Sequence, residues 1–433
     1  MNESNSEKRD TFGNKIDLRV HYARGQILVD SHHEALRAGH ARELLRERMQ
    51  EQGTDSIYDF TGSPCEFPIQ KDDLNLPISE VPGGAYFESE LISSALQHLG
   101  GRDDDKAAVF NRTSAGITAT ILALSERGKT LVSITSGSPS HPSIKRAAAL
   151  AGNNFVEVYC TTDLAAAIAD TNCNLVVITG VTSELTLMEN QEFIEAIRVA
   201  KQSGCIVFVD DAYGARVRTI LMNQRPAIKE GADISITSVQ KAGLCGPRAG
   251  LLVGRAKLVE AIASRASEIG LEARTPLVVA VLRALQQFEP EKLNSEVRAG
   301  DSLYKHVSKL LGGENINQTL LGPTISEDSL LKITMSRASI AKLKSGIVPA
   351  EASAGLGMLM LSNHGIITVN AVGSPGGRVS LRLKTSEEEL LRFGGAIMVE
   401  TALNDSINKL CRYINNSMAM QELILGPMAV KES

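Results

Sequence analysis

The sequence contains no CxxC pair. Its six cysteines, Cys65, Cys160, Cys173, Cys205, Cys245 and Cys411, are scattered along the chain. That spacing excludes a disulfide framework and the usual paired-thiolate zinc sites, and it fits a reducing compartment. Cys160, Cys173 and Cys205 fall in or near apolar segments and read as small core residues. There is no HExxH motif and no complete Walker A motif, so no metal site is expected. Long hydrophobic runs are also missing. Stretches such as VVAVL and LLVG are too short to span a bilayer. The N-terminal MNESNSEKRD lacks the apolar stretch of a signal peptide. A cytoplasmic protein with no membrane association is expected. Positive charge is not in excess, with 45 Lys and Arg against 50 Asp and Glu and a net charge of -5. General electrostatic attraction to nucleic acid is therefore excluded, leaving room at most for a local basic patch. Tryptophan is absent too, a lack that by itself excludes nothing.

What is present describes a globular enzyme-sized chain. With 433 residues, 43% hydrophobic and 22% charged, one large and one smaller domain are the natural expectation. Residues 1–16 read as a loose arm. Residues 31–52 read as a charged helix with an Ala/Leu stripe. Residues 53–88 are rich in loop signals (GSP, PI, VPGG), and together these make an N-terminal segment 1–88. From about residue 89 the pattern alternates. The strand-like VF at 109–110 is followed by LVSIT (131–135), VEVYC (156–160), LVVITG (175–180), CIVFVDD (205–211), ISITSVQ (234–240) and AGLLVG (249–254), most of them separated by helical stretches. Short β-branched runs between helices predict an α/β fold with a mostly parallel sheet covered on both faces. This gives a large domain over 89–324. The mixed remainder, 325–433, reads as a smaller α+β domain ending in one helix, SEEELLRFGGAIMVETALNDSINKLC.

In such sheets ligands sit beyond the C-terminal ends of the strands. Four stretches there carry chemistry. Lys241 follows ISITSVQ directly and precedes GLCGPRAG. A lysine fixed at a strand end, with small residues around it, is placed to act as a covalent amine. Asp210 closes the apolar VFVD, where a carboxylate is costly without a partner. Asp211 is an alternative at the same strand end. Ala212 is small enough to lie below a flat ring, and Tyr213 can offer its hydroxyl. In VFNRTSAGITATILAL, the residues Thr113, Ser114 and Ala115 open a helix. Hydroxyls and free N–H groups at that end make an anion cradle, to which Ser238 can add a hydroxyl. His141, past LVSIT, can stack on a ring or move a proton. Arg382, in GGRVSLRLK, can grip a carboxylate in bidentate fashion. Arg378 and Arg216 compete for that role, and Arg274 could reach a neighbouring site in a dimer.

Taken in this order, the four stretches resemble the fold-type I pyridoxal 5'-phosphate (PLP) enzymes, the aspartate aminotransferase superfamily. The segment ADISITSVQKAGLCGPRAGLLVGRAKLVEAI is most similar to the branch holding bacterial selenocysteine synthase and D-glucosaminate-6-phosphate ammonia-lyase-like proteins. Its pattern of lysine and then Gly-Pro-x-Ala-Gly falls on Lys241, Gly246, Pro247, Ala249 and Gly250. The resemblance covers about residues 100–300. It implies a seven-stranded, mostly parallel sheet and PLP bound as a Schiff base on Lys241. It implies a pyridine-nitrogen contact at Asp210, a stacked His141, and phosphate contacts at Thr113, Ser114, Ala115 and Ser238. It further implies a small amino-acid substrate, phosphorylated or sulfur-bearing ones included, and a homodimer or larger homo-oligomer. Elimination or β-replacement at Cα–Cβ is the reaction it suggests first. Transamination with a keto acid is the alternative, followed by decarboxylation or seryl transfer in selenocysteine synthesis. The short N-terminal arm and the negative net charge argue against a tRNA-borne substrate.

Overall fold

The computed structural model describes residues 8–76 and 79–427. Packing divides the chain into two units, Ser63–Asn294 and Met1–Gly62 with Ser295–Ser433. The sequence suggested breaks at 88/89 and 324/325. The structural boundary after Asn294 falls within the helix Pro290–Leu311.

The unit Ser63–Asn294 is built on seven strands: β1 (Asp105–Phe110), β2 (Thr130–Ile134), β3 (Asn154–Val158), β4 (Leu175–Thr179), β5 (Ile206–Asp210), β6 (Ile234–Ser238) and β7 (Gly250–Arg255). Their order across the sheet is β1-β7-β6-β5-β4-β2-β3. Strands β6, β5, β4, β2 and β3 are mutually parallel. Strand β7 is antiparallel to both its neighbours, β6 and β1, so β1 runs in the direction of β6. The sheet is thus the mixed, mostly parallel one expected. Every residue of β2, β4 and β6 is buried, as required of strands covered on both faces. Alternate residues serve opposite cores. Leu175, Val177 and Phe208 join Ile117 and Ile144 on one side, while Val176, Ile178 and Val207 join Phe193 and Ile197 on the other.

Helices fill both layers: α1 (Glu80–Leu99), α2 (Thr113–Leu124), α3 (Pro142–Ala151), α4 (Thr161–Ala169), α5 (Asn190–Gln202), α6 (Ala256–Glu268) and α7 (Thr275–Gln286). Helix α1 buries Gly83, Phe87, Leu91, Ala95 and Leu99, one residue every four. It begins well before the ESELIS stretch at which the sequence suggested a helix. Pro82 lies in its first turn, where the missing N–H has no helical partner to lose. The Pro77–Ile78 pair of the expected loop lies outside the described residues.

The second unit joins the C-terminal α+β portion to the N-terminal segment. Strands Asn317–Thr319, Gly322–Ile325 and Leu381–Arg382 form an antiparallel sheet. Tyr58–Asp59 pairs in parallel with Ile366–Ile367. The helix Pro349–His364, to which the sequence assigned no element, is buried from Pro349 through Leu361. It is buried on all sides over that stretch and forms the centre of a core with Leu303, Leu331, Leu381, Leu403 and Leu410. Two expectations are corrected here. Residues 8–16 of the presumed loose arm form a hydrogen-bonded hairpin, in which Asp10 Oδ1 accepts from the N–H groups of Phe12 and Asn14 and Ile16 bonds back to Lys8. Residues 1–7 of that arm lie outside the described residues. The single terminal helix is two, Glu387–Arg392 and Ala396–Tyr413, broken where Gly394 and Gly395 take φ of 104° and 84°, values that glycine alone adopts without strain. The charged helix is Ser31–Gln52, as read, but its buried face carries Glu34 and Arg37 beside Ala38 and Ala41.

Candidate active site

The chemistry-bearing residues of the large unit gather at one edge of the sheet, where β1, β5 and β6 end. Gly250 pairs in register with both Phe110 and Ser238, which brings the start of α2 beside the end of β6. Thr113 Oγ1 and Ser238 Oγ are 2.6 Å apart. A Cβ at Gly250 would stand 2.7 Å from Thr113 Cα, so glycine is required for this approach. The N–H groups of Thr113 and Ser114 are among those that no helical carbonyl receives. That of Ala115 is given to Arg112 O at 3.0 Å. Arg112 caps α2. Its guanidinium is held below its ordinary basicity by burial and by the positive charges of Arg248 and Arg146. The first turn of α2 is thus a cationic, donor-rich end, suited to an anion.

Asp210 and Asp211 part company at the end of β5. Asp211 is taken by Arg218, with Nη2–Oδ2 at 2.6 Å and Nε–Oδ1 at 3.2 Å. Both side chains are shut off from solvent, and the Arg218 guanidinium lies 3.9 Å from the centroid of the Phe193 ring. Asp210 accepts from the Ala212 N–H at 3.3 Å and is 3% exposed. Burial pushes its carboxyl up to about 6, against the opposing pull of the Lys241 charge and the Ala212 N–H. Of the two acids left open by the sequence, Asp210 is the one whose charge is not already neutralised by an arginine.

Lys241 Nζ lies 4.5 Å from the centroid of the Tyr213 ring. The turn after it is unusual. Ala242 has φ of +52° and Gly243 φ of +76°. For a residue with a Cβ that region costs about 1–2 kcal/mol. A Cβ at Gly243 would stand 2.6 Å from Leu293 N. Arg216 holds the turn. Its Nε donates to Lys241 O and Ala242 O at 3.1 and 3.2 Å. Its Nη2 donates to Ser238 O at 2.7 Å and Ala212 O at 3.4 Å. Nη1 meets His98 Nε2 at 3.1 Å. Burial and the Arg216 charge hold His98 down to about 3, so it is neutral and accepts. Arg216 is 1% exposed. The substrate-carboxylate role considered for it is corrected on this ground, because its donors are engaged by the protein's own carbonyls. Beyond it, Ser94, His98, Thr219, Gln286 and Phe288 help line a cavity of 430 Å³.

His141 caps α3 at the end of β2, with Nδ1 2.7 Å from Ser143 Oγ and 3.2 Å from Ser143 N. In sheet order its strand stands two places from that of Asp210. Arg382 belongs to the second unit, buried on its short strand with Nε donating to Ser380 Oγ at 3.1 Å. Arg378 lies in the same unit, half-buried. Arg274 is at the surface, 3.3 Å from Glu80 Oε2. Sequence reasoning missed His98, Arg218 and Arg112. No spacing rule connects the first two to the site, whereas Arg112 stands in the quoted NRTSAG stretch. Among the described residues no group of three or more His, Cys, Asp or Glu side chains could hold a metal. No helix there is long and apolar enough to cross a membrane.

Residues 86–326 match the family described as aminotransferase class I and II. The chain belongs to that family. A protein named "UPF0425 pyridoxal phosphate-dependent protein" from Methanothermobacter thermautotrophicus is 37% identical over 400 residues, which is 92% of this chain and 100% of that one. One of the same name from Methanosphaera stadtmanae is 34% identical over 341 residues, 78% of this chain and 85% of the relative. Among solved structures, the ureidoglycine-glyoxylate aminotransferase of Bacillus subtilis superposes with a TM-score of 0.56 at 14% identity, covering 87% of this chain and 98% of that one. At that identity the likeness is one of fold.

Proposed function

We propose that this class I and II aminotransferase family member is a PLP-dependent enzyme that exchanges the amino group of a small amino acid, with the cofactor carried on Lys241. One observation carries the proposal. The fully buried Asp210 carboxylate stands at a strand end within reach of the Lys241 charge, while its neighbour Asp211 is neutralised by Arg218. The residues fit the group. Asp210 suits a pyridinium N–H, which would offset the cost of its burial. The Thr113 and Ser238 hydroxyls, with the first turn of α2, suit a phosphate. Ala212 leaves room for a flat ring, with Tyr213 beside Lys241.

When bound, PLP supplies an electron-accepting ring to which a bond broken at the substrate Cα can yield its electrons. Lys241 Nζ would hold the cofactor and would be the group placed to move a proton at the substrate Cα. Asp210 would hold a proton at the ring nitrogen. Arg216 holds the lysine's turn in place. His141 is proposed to flank the ring, and Arg382 to bind the substrate carboxylate, both on the strength of the resemblance. Family membership favours transamination over the elimination or β-replacement suggested first. A homodimer is proposed on the same grounds, with light scattering as its check.

The test is a spectrum of the PLP-reconstituted protein before and after a panel of amino acids. The wild type should show the visible band of lysine-bound PLP, and Lys241→Ala should not. Recovery of pyridoxamine phosphate, with the keto acid formed once per site until a second keto acid is added, supports transamination. Continuous keto-acid release from the amino acid alone would replace that reading with elimination. No PLP band in the wild type would overturn the whole proposal.

A further inference from the structure

Two thiols outside this site face one another. Cys173 precedes β4 and Cys205 precedes β5, and their Sγ atoms are 3.9 Å apart. The two strands are adjacent and parallel, with Leu175 in register with Ile206. Cys205 thus falls opposite Asn174, one residue from Cys173, and with strands about 4.8 Å apart and a rise of about 3.3 Å per residue the two Cα atoms lie roughly 6 Å apart, within the range of a disulfide. Closing from 3.9 Å to the ~2.05 Å of an S–S bond needs side-chain rotation rather than movement of the sheet. The two cysteines also differ in access. Cys205 is 3% exposed, whereas Cys173 is half-buried. Cys205 Sγ lies 3.6 Å from Cys173 O, and Cys173 Sγ lies 3.3 Å from Leu175 O. The pair is therefore more than the inert core filler that the sequence suggested.

We propose that Cys173 and Cys205 form a reversible thiol–disulfide pair, with Cys173 the attacking sulfur and Cys205 the resolving one. The oxidant is a low-molecular-weight disulfide. The Cys173 thiolate attacks one of its sulfurs, forming a mixed disulfide and expelling one thiolate. The Cys205 thiol gives up its proton and attacks Cys173 Sγ, forming the intramolecular bond and expelling the second. Two protein thiols are oxidised, one small disulfide is reduced to two thiols, and the two protons pass to solvent or to the expelled thiolates. The hydrogen bond from the Cys205 thiol lowers Cys173 to about 7, against the effect of burial, which favours its attack at neutral pH. Cys205 is pushed upward by the same contact and by burial, as befits the partner that attacks second. The bond would lie at the N-terminal ends of β4 and β5, the opposite end of the sheet from Asp210, roughly 16 Å along the strand. It is a staple of the sheet, separate from the cofactor chemistry.

The full-length protein is incubated with oxidised glutathione, alkylated, and its free thiols are counted after denaturation. Non-reduced digests are mapped by mass spectrometry. The expected result is a fall from six thiols to four, one peptide linked through Cys173 and Cys205, and reversal by dithiothreitol. Tm should rise by roughly 3–5 °C. Cys205→Ala should trap glutathione on Cys173, and Cys173→Ser should leave Cys205 unmodified. Retention of all six thiols would overturn the proposal. So would a stable glutathione adduct on Cys173 in the wild type, or glutathione on Cys205 in Cys173→Ser.

Discussion

Asp210 and His98 are buried titratable groups whose pH effects run in opposite directions. Asp210, held up to about 6, retains its proton longer in the folded protein than in the unfolded chain. Its ionisation therefore removes stability as pH rises from about 4 to about 6, by on the order of 3 kcal/mol without cofactor. His98, held down to about 3, takes up a proton less readily when folded. It removes stability as pH falls below the ordinary histidine range. The two slopes partly cancel in the wild type. Apo Asp210→Asn should unfold at higher urea than the wild type at pH 7 and show a clear acid-side loss. His98→Gln, which keeps an acceptor for Arg216, should show the reverse slope. Urea midpoints measured across pH 4–8 check both. Arg216→Lys tests the turn itself. One ammonium cannot replace donors directed at four carbonyls. The variant should stay folded by circular dichroism, while the pH titration of the bound-PLP band shifts and turnover falls at least tenfold. The strand ends that precede Lys241 and Thr113 and that Asp210 closes were legible because a β-branched run followed by small or polar residues has a local signature. His98 was not, because its partner Arg216 is 118 positions away and nothing in an amphipathic helix marks one histidine as buried.

Among the elements, the junction of β7 with α2 is sharply constrained. Gly250→Ala would place its Cβ against backbone rather than a movable side chain. It should cost about 1–3 kcal/mol and, by displacing the first turn of α2, weaken PLP affinity more than it weakens the fold. Equilibrium dialysis against PLP, set beside the urea midpoint, separates the two effects. The strands of the large unit were legible because their β-branched runs are short and bounded by helices. The start of α1 was obscured by Pro82, Gly83 and Gly84, which signal a loop unless their place in a first turn is known. Pro349–His364 escaped for a different reason. Being buried all round, it lacks the polar face that gives a helix its period.

For the whole molecule, the large unit is continuous in sequence, whereas the second unit draws on both ends of the chain. The alternating pattern from residue 89 onward therefore revealed the strands of the first unit, while no local pattern could show that residues 8–62 pack with the C-terminal portion. Glu351 accepts hydrogen bonds from the N–H groups of Ile27 and Leu28. Tyr58 N–H and Phe60 N–H bond to Gly365 O and Ile367 O. Contacts of that separation, roughly 300 residues, close slowly because a long loop must be ordered first. Pulse-labelling hydrogen exchange during refolding should find the amides of β4 to β6 protected before those of Tyr58 and Phe60. On the ribosome this has a direct consequence. The N-terminal segment emerges first yet must wait, with Phe60 and Leu28 uncovered, until the carboxyl-terminal third has been translated. During that interval it is a natural client for a chaperone.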